Sequence, residues 1–577
     1  MASFPKIAKF FFTRELREND RAVRARRPLL PFSALAAVPL ALLGVGAAPP
    51  NPRAVRFEDR SASSGLSFVL HNNPTARKYL VETMAGGIAA FDYNNDGHLD
   101  LFFTNGAELP SLSKTGLQYT DRLFRNDGAG HFTDVTAESG LAGSGYSIGA
   151  AAADSDNDGL VDLFVAGVNG CRLYRNLGGG RFEDVSKQAG IHCDGWAVAA
   201  GWFDYDRDGL LDLFVVNYVQ WSPETNPLCH DPSGRFPVYC NPRQFQGTAN
   251  RLYHNLGKGR FEDVSAASRI SKCIGKGMSL AIADYDSDGY PDVYVTNDTV
   301  PNFLFHNLRN GRFEEVALAA GAALPDDGRA LSSMGVDFRD YDNDGLPDIA
   351  YTALRGETFP LFRNVGQGQF QDVTYSTHLA QLTSRLSAWS NALADFDNDG
   401  WKDLFTANSH VTDNIELFSS DRYKLPNSLF LNQGDGTFRD GSAPSGPDFA
   451  VPRAHRGAAV ADFDGDGKLD MVVSVLGEKP EFWRNVTPVT GHWIELSLVG
   501  SRSNRDAIGA VIRIGKQSNH QTSTVGYASS TLAPVHFGLG PQTVVPRIQI
   551  VWPSGTIQEL REVKVDQRLV IREPQSP

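Results

Sequence analysis

The stretch Asp284-Tyr-Asp-Ser-Asp-Gly-Tyr-Pro-Asp292 decides the fold, because the chain writes the same phrase seven times. The phrase is Asp-x-Asp/Asn-x-Asp-Gly-x-x-Asp, set each time between two apolar runs, and its copies begin at Asp92, Asp154, Asp204, Asp284, Asp340, Asp395 and Asp462. Intervals of 50 to 80 residues between copies are those of propellers and solenoids.

The chemistry of the phrase is that of a hard cation. In the copy above, Asp284, Asp286, Asp288 and Asp292 place four carboxylates within nine residues, and Gly289 permits the sharp reversal that turns them to one point. Alternating carboxylates, completed by a backbone carbonyl and water, suit an ion that accepts six to eight oxygens, so calcium is favoured over the more rigidly octahedral magnesium. Up to seven ions are expected. Their ligands are Asp92, Asn94, Asp96 and Asp100; Asp154, Asp156, Asp158 and Asp162; Asp204, Asp206, Asp208 and Asp212; and the four of the fourth copy. The last three copies supply Asp340, Asp342, Asp344 and Asp348; Asp395, Asp397, Asp399 and Asp403; and Asp462, Asp464, Asp466 and Asp470. Asn94 replaces a carboxylate, so the first loop should bind more weakly. An EF-hand is excluded: position 12 is Phe103, Val165 or Val215, inside a strand-like run rather than a ligating Glu.

Four strands surround each loop. A run of small residues precedes it, as at 86–90, 149–153, 197–201 and 458–461, which suits an innermost strand where blades converge. An apolar strand follows it. Next comes Leu-aromatic-x-Asn at 123–126, 173–176, 252–255, 304–307, 361–364 and 429–432, then a Gly-rich turn and Phe-x-Asp-Val or a close variant at 132–135, 182–185, 261–264, 313–316 and 370–373. Four short strands make one propeller blade. The seventh repeat ends at Asn485 without its fourth strand, while an orphan Arg56-Phe-Glu-Asp59 stands before the first loop. That orphan is expected to complete the last blade and close the ring, removing exposed sheet edges.

The repeats resemble FG-GAP (VCBS-type) repeats, as in the integrin alpha-subunit propeller, over residues 54–487. The tail, 488–577, resembles the ASPIC/UnbV domain through Asn504, Ala507-Ile-Gly-Ala510, Gly526-Tyr527, His536-Phe-Gly-Leu-Gly540 and Val551-Trp-Pro-Ser-Gly555, with Pro546 where relatives tend to carry Asp. Together they imply the secreted family of cartilage acidic protein and UnbV. The expected architecture is all-β, a seven-bladed propeller followed by a small β-domain with strands near 493–498, 511–514 and 548–551.

Charge and the N-terminus agree with export. The chain carries −13; residues 1–48 hold +5, leaving −18, which seven divalent ions would bring to −4. The acidity is mostly ligand charge, and nothing resembles the basic stripe of a nucleic-acid binder. Arg21, Arg24, Arg26 and Arg27 precede an apolar stretch from Leu29 to Val45 and then small residues, the order of a signal peptide spanning 1–48, through either the general or the twin-arginine route. Pro31 and Pro39 interrupt that stretch, and no other segment reads as transmembrane, so the mature chain is expected to be secreted, periplasmic or at the cell surface.

Up-and-down strands put the seven loops on one face. The long connections 104–121, 217–250 and 407–428 fall on the other, the usual binding face of a propeller. All five cysteines map there. Cys229 with Cys240, inside one Pro-rich loop, is the preferred disulfide, and an odd count leaves at least one thiol over. No nucleophile elbow, phosphate loop or dinucleotide fingerprint occurs. The acid–base candidates are His410 with Asp413 and His230 with Asp231; Arg456 and His455 fit a family pattern without an assignable chemistry. Trp196, Trp202, Trp389 and Tyr218 read as blade packing rather than a sugar platform. The expected function is a calcium-binding module engaging an extracellular protein or a surface glycan through the long-loop face. Two alternatives are an enzyme on polysaccharide or a secondary metabolite, and a purely structural envelope protein.

Overall fold

The computed structural model describes residues 54–488 and 491–575. The export segment expected at 1–48 lies outside them. Among the described residues, no helix is long and apolar enough to cross a membrane.

Seven antiparallel sheets form a ring. Their innermost strands are Ile88–Phe91, Tyr146–Ala153, Ala197–Phe203, Gly277–Ala283, Val336–Arg339, Ala388–Ala394 and His455–Ala461. Each neighbours the next in chain order, and the last neighbours the first. Small side chains make that convergence possible: four consecutive alanines, Ala150 to Ala153, line the second inner strand, all buried. In six sheets the strands succeed one another outward in chain order; in the seventh, Phe57–Asp59 is the outer strand, pairing Phe57 with Asn485. The orphan strand thus occupies the place its sequence assigns to it, and the ring is fastened by its two ends.

The Leu-aromatic-x-Asn phrase has a second task. The amide of Asn176 donates to Val161 O of its own loop and to Tyr93 O of the preceding one, at 3.0 and 2.8 Å. Its counterparts Asn255, Asn307, Asn364, Asn432 and Asn485 reach Ser155, Tyr205, Tyr285, Tyr341 and Phe396, each in the preceding sheet. Asn126 of the first sheet reaches Phe463 of the seventh, so the belt is closed. A buried carbonyl left without a donor would cost about 1–3 kcal/mol, which makes these amides structural rather than decorative.

The tail forms two small sheets around one apolar core that includes Ile494, Leu496, Ile512, Ile548 and Trp552. His492–Val499 pairs with Val535–Gly540 and Gln567–Arg572 in one sheet; Val511–Ile514 and Val544–Val551 lie side by side in the other. Pro546 is tolerated because it falls beyond the last residue paired to Val511–Ile514 and opposite Glu562, whose left-handed φ of 51° interrupts regular strand geometry there. The ring's last strand ends at Asn485 and the tail's first begins at His492, but one hairpin of the tail enters the ring. Thr524–Val525 and Ser529–Thr531 run down the axis of the ring and add two strands to the first sheet, with Ala89 opposite Ser530.

Candidate metal centres and the tail that covers them

Each acidic loop joins an inner strand to the next strand outward. The fourth shows the local logic. Asp284 accepts from the amides of Asp288 and Gly289 at 3.0 and 2.9 Å, Asp288 from Tyr290 at 2.8 Å, and Asp292 from Asn307 at 2.8 Å. The backbone therefore holds the carboxylates in place before any ion arrives. Gly289 has a φ of 89°, as its reversal requires, but Ser287 two residues earlier is also left-handed at 61°. The sequence reading placed the whole reversal on the glycine. In four copies the earlier position is Asn95, Asn157, Asn343 or Asn398, a residue type that tolerates this region, and its amide donates to a carbonyl of the neighbouring loop.

The loops bring the expected ligands together. Carboxylate oxygens of Asp204, Asp206 and Asp212 lie within 4.8 Å of one another, as do those of Asp284, Asp286 and Asp292 and those of Asp154, Asp156 and Asp158. Asp206 Oδ1 is buried without a hydrogen-bond partner. A donor set of clustered oxygens with an orphaned buried acceptor fits a hard divalent cation. Without one the electrostatics are adverse: burial, and then neighbouring carboxylates, push Asp204 and Asp154 up to about 7 and Asp284 and Asp340 up to about 6. Burial pushes Asp395, Asp403 and Asp470 well above the carboxylate range.

A further set of residues went unread. The x before each third-strand Asn is Arg125, Arg175, His254, His306, Arg363, Leu431 or Arg484. Arg175 pairs with Asp156 at 2.8 Å and Asp158 at 3.2 Å, Arg363 with Asp344 at 2.9 Å, and Arg484 with Asp464. His254 Nδ1 lies 3.0 Å from Asp212, which raises its pKa to about 9, and sits with Asp206 and Asp208 as a potential nitrogen ligand. The signal was the recurrence of a cationic residue type at a position treated as variable.

The tail covers this face. Arg207 Nε donates to Pro553 O at 2.8 Å, Arg505 N to Asn157 Oδ1 at 2.9 Å, Lys402 Nζ to Ser518 O at 3.1 Å and Arg568 Nη1 to Gly97 O at 3.2 Å. Two motif glycines owe their identity to this seating. A Cβ on Gly538 would stand 2.0 Å from Asp395 Oδ2, and one on Gly526 would stand 2.0 Å from Ser390 Oγ. From Gly526 the hairpin bonds inner strands around the axis: its amide donates to Val336 O at 3.0 Å, Ala150 N donates to Ala528 O at 3.2 Å, and Ala152 N to Ser530 Oγ at 3.1 Å. At its tip Tyr527, fully buried, packs edge-on against Trp389 and donates to Met84 O at 2.8 Å.

That tip meets the residues closing the opposite, long-loop mouth. Arg456 is fully buried; its guanidinium lies 4.1 Å from the Trp389 ring centroid and donates to Thr83 O and His455 O at 2.8 and 2.7 Å. His455 pairs with the buried Glu481 at 3.1 Å. Their part in the fold is thus to tie the sixth and seventh sheets to the segment before the first. Asp413 pairs with Lys78 at 2.7 Å and accepts from Tyr239 Oη at 3.2 Å, and the same hydroxyl lies 3.0 Å from Glu82, whose pKa burial raises. His410 does not join Asp413: its Nδ1 accepts from Thr412 N at 3.0 Å. Asp231 caps its own turn, accepting from Ser233, Arg235 and Phe236, while His230 is exposed. Trp196, Trp202, Trp389 and Tyr218 are all buried. Cys229 and Cys240 are joined at a Cα separation of 5.2 Å. A second disulfide, Cys171 to Cys193 at 5.5 Å, ties a turn of the second sheet to the connection that leads to the third, leaving Cys273 as the free thiol.

The FG-GAP-like repeat pattern matches 92–165, 154–215, 238–295, 284–351, 340–406 and 414–473, more than half of the sequence. The chain belongs to the FG-GAP-like repeat family. The ASPIC and UnbV pattern matches residues 500–577, so this FG-GAP protein carries that domain at its C-terminal side. Cartilage acidic protein 1 of Homo sapiens is 26% identical over 352 residues, 56% of this chain and 49% of the relative. The Mus musculus protein is 27% identical over 305 residues, 51% and 44%. The FG-GAP chain thus spans about half the length of these relatives. Among solved structures, an Agrocybe aegerita lectin recognising non-reducing terminal N-acetylglucosamine is 15% identical, with a TM-score of 0.38, over 68% of this chain and 87% of its own. A Bacillus licheniformis rhamnogalacturonan lyase is 12% identical, with a TM-score of 0.36, over 75% and 76%.

Proposed function

We propose that the protein is an exported, calcium-stabilised propeller that acts as a binding or scaffold module, engaging an extracellular protein or surface glycan through its long-loop face. The observation that carries this reading is the division of labour between the two faces. One holds seven backbone-organised acidic loops beneath the tail; the other gathers the long connections and both disulfides around a closed axis. The ions would sit at Asp92, Asp154, Asp204, Asp284, Asp340, Asp395 and Asp462 with the ligands that follow each, and would supply charge compensation rather than chemistry. Each binds the folded loop in preference to the unfolded chain. At tenfold excess over its dissociation constant an ion stabilises by about 1.4 kcal/mol, so several together decide whether the ring holds.

Thermal unfolding of the mature protein with calcium, magnesium or chelator, together with metal counting, tests the reading. Near-stoichiometric calcium at most loops and a large loss of melting temperature on chelation are expected. A calcium-free protein with an unchanged melting curve would overturn it. On the long-loop face Lys78, Asp413, Tyr239 and Glu82 bond to one another, which favours a binding module over an enzyme there.

A further inference from the structure

Between the tail and the loops of the third, fourth and fifth sheets lies a cavity of about 260 Å³. At about 30 Å³ per water that is room for roughly eight waters, or for one organic ring with a short substituent. Its walls are apolar, charged and, through Ser518, Asn519, His520, Gln521 and Thr522, neutral polar. Phe203, Ile282, Ile508, Val511 and Trp552 give it apolar surface. The charged groups are Asp204, Asp284, Asp340, Arg207 and Arg513.

Four of those five are already engaged. Asp204 accepts from Asp208 N and Gly209 N, both at 3.0 Å; Asp284 and Asp340 accept from the same positions of their own loops. Arg207 donates to Pro553 O, and its guanidinium lies 5.2 Å from the Tyr290 ring centroid. Arg513 differs. It sits in the strand Val511–Ile514, where Ile512 and Ile514 point into the tail's core, so Val511 and Arg513 share the face turned to the ring. It is half-buried, and among the described residues its side chain has no hydrogen bond or ion pair. A guanidinium partly withdrawn from water loses hydration that only an anion or several acceptors restore, and its planar fork matches a carboxylate in two parallel bonds.

We propose that this seam cavity binds a small organic monoanion with a one-ring apolar body, an aromatic or alicyclic carboxylate, whose carboxylate pairs with Arg513. The ring lies against Val511, Trp552 and Ile282. A neutral ring would leave Arg513 unpaired, and a bare inorganic anion would leave the apolar walls wet. Binding here is separate from the long-loop face and does not depend on what that face engages.

Calorimetry on the full mature chain, with calcium supplied throughout, tests this with benzoate, benzamide, acetate and inorganic phosphate as probes. Benzoate is expected to bind, and benzamide, acetate and phosphate to bind about tenfold more weakly or worse, the worth of a charge-assisted hydrogen bond or of a buried ring. R513Q should weaken benzoate by about tenfold or more, R513K should fall between R513Q and the wild type because lysine keeps the charge but not the fork, and V511W should abolish binding by filling the cavity. Because the Arg513 side chain has no hydrogen bond or ion pair among the described residues, R513Q and R513K should melt with the wild type. Should R513Q fail to fold, the wild-type benzoate-to-benzamide ratio decides. Equal binding of benzamide, equal binding of phosphate, undetectable benzoate at millimolar concentration, or indifference to R513Q in a folded variant would each overturn the proposal.

Discussion

The amide of Asn126, in the first sheet, donates at 2.9 Å to the carbonyl of Phe463, in the seventh, and at 3.0 Å to Leu99 O of its own loop. One buried side chain thus closes the hydrogen-bonded belt on which the ring depends. N126A leaves both carbonyls without a donor, and it should destabilise the protein by about 2–4 kcal/mol in denaturant unfolding. The same truncation at Asn307 should cost a similar amount, because Tyr205 O and Pro291 O lose their donor there. A loss under about 0.5 kcal/mol at both positions would show that the belt contributes nothing.

The acidic loops predict an inverted pH dependence for the cation-free chain. Burial raises Asp154 and Asp204 to about 7 and Asp284 and Asp462 to about 6, against an ordinary value of 3.8. A carboxylate whose folded pKa is raised stabilises the fold fully below its unfolded pKa, and that contribution is lost as pH rises through the folded value. The chelated protein should therefore melt at progressively lower temperature from pH 5 to pH 8, and the gain on adding calcium should be largest at pH 8. A chelated melting temperature that is flat or rising over that range would contradict this account.

Much of this was legible in the sequence, for a physical reason. The loops occur seven times, the third-strand phrase six times and the fourth-strand phrase five times besides the displaced Arg56-Phe-Glu-Asp59, so each copy corrects the reading of the others. The return of the orphan strand to the seventh sheet was expected from that count, while its register, Phe57 opposite Asn485, comes from the structure. What escaped was non-repeated or long-range. Gly526 and Tyr527 stood out as a motif, but nothing in their neighbourhood announces that they lie on the axis of a ring built from residues hundreds of positions away. Cys171 and Cys193 lie in connections on either side of the second sheet's two outer strands, and only the folding back of the chain pairs them. The cationic arms Arg175, His254 and Arg363 were available as a column in the repeats but carry no conformational signature.

Tyr527 should be the main contribution of the tail to ring stability. It is fully buried, its ring centroid is 4.9 Å from that of Trp389, and its hydroxyl is bound to Met84 O. Y527F removes one hydrogen bond and should cost about 1 kcal/mol, whereas Y527A opens a cavity at the axis and should cost about 3–5 kcal/mol. Near-equal losses for the two variants would mean that the ring of Tyr527 is not packed as described.

The Cys229–Cys240 bridge closes an 11-residue span in a loop with little regular structure, and the Cys171–Cys193 bridge a 22-residue span that holds the second sheet's two outer strands. Paired serine replacement of either should lower stability by about 2–4 kcal/mol, measured in denaturant with calcium present. Free-thiol titration of the unfolded, unreduced wild type should give one thiol per chain, Cys273. A count of three or five would remove one bridge or both.

His520 sets the acid limit. Its Nε2 donates to Ile282 O at 3.1 Å, since a carbonyl only accepts, and burial, aided by Arg339 and Lys402, pushes its pKa down to about 3. His536 is likewise lowered to about 4 by burial, with Lys402 again opposing its charge. A histidine that stays neutral when folded gives a stability that is constant above its unfolded pKa of about 6.5 and falls as pH drops from there toward the folded value. With calcium present, the seam between tail and ring should therefore weaken below pH 6.5, before the bulk of the carboxylates titrate. H520Q keeps a side-chain donor for Ile282 O but cannot take up a proton, so it should lower stability at pH 7 slightly and flatten the decline between pH 6.5 and pH 4.5. Melting curves of wild type and H520Q that run parallel over that interval would show that the acid sensitivity lies elsewhere.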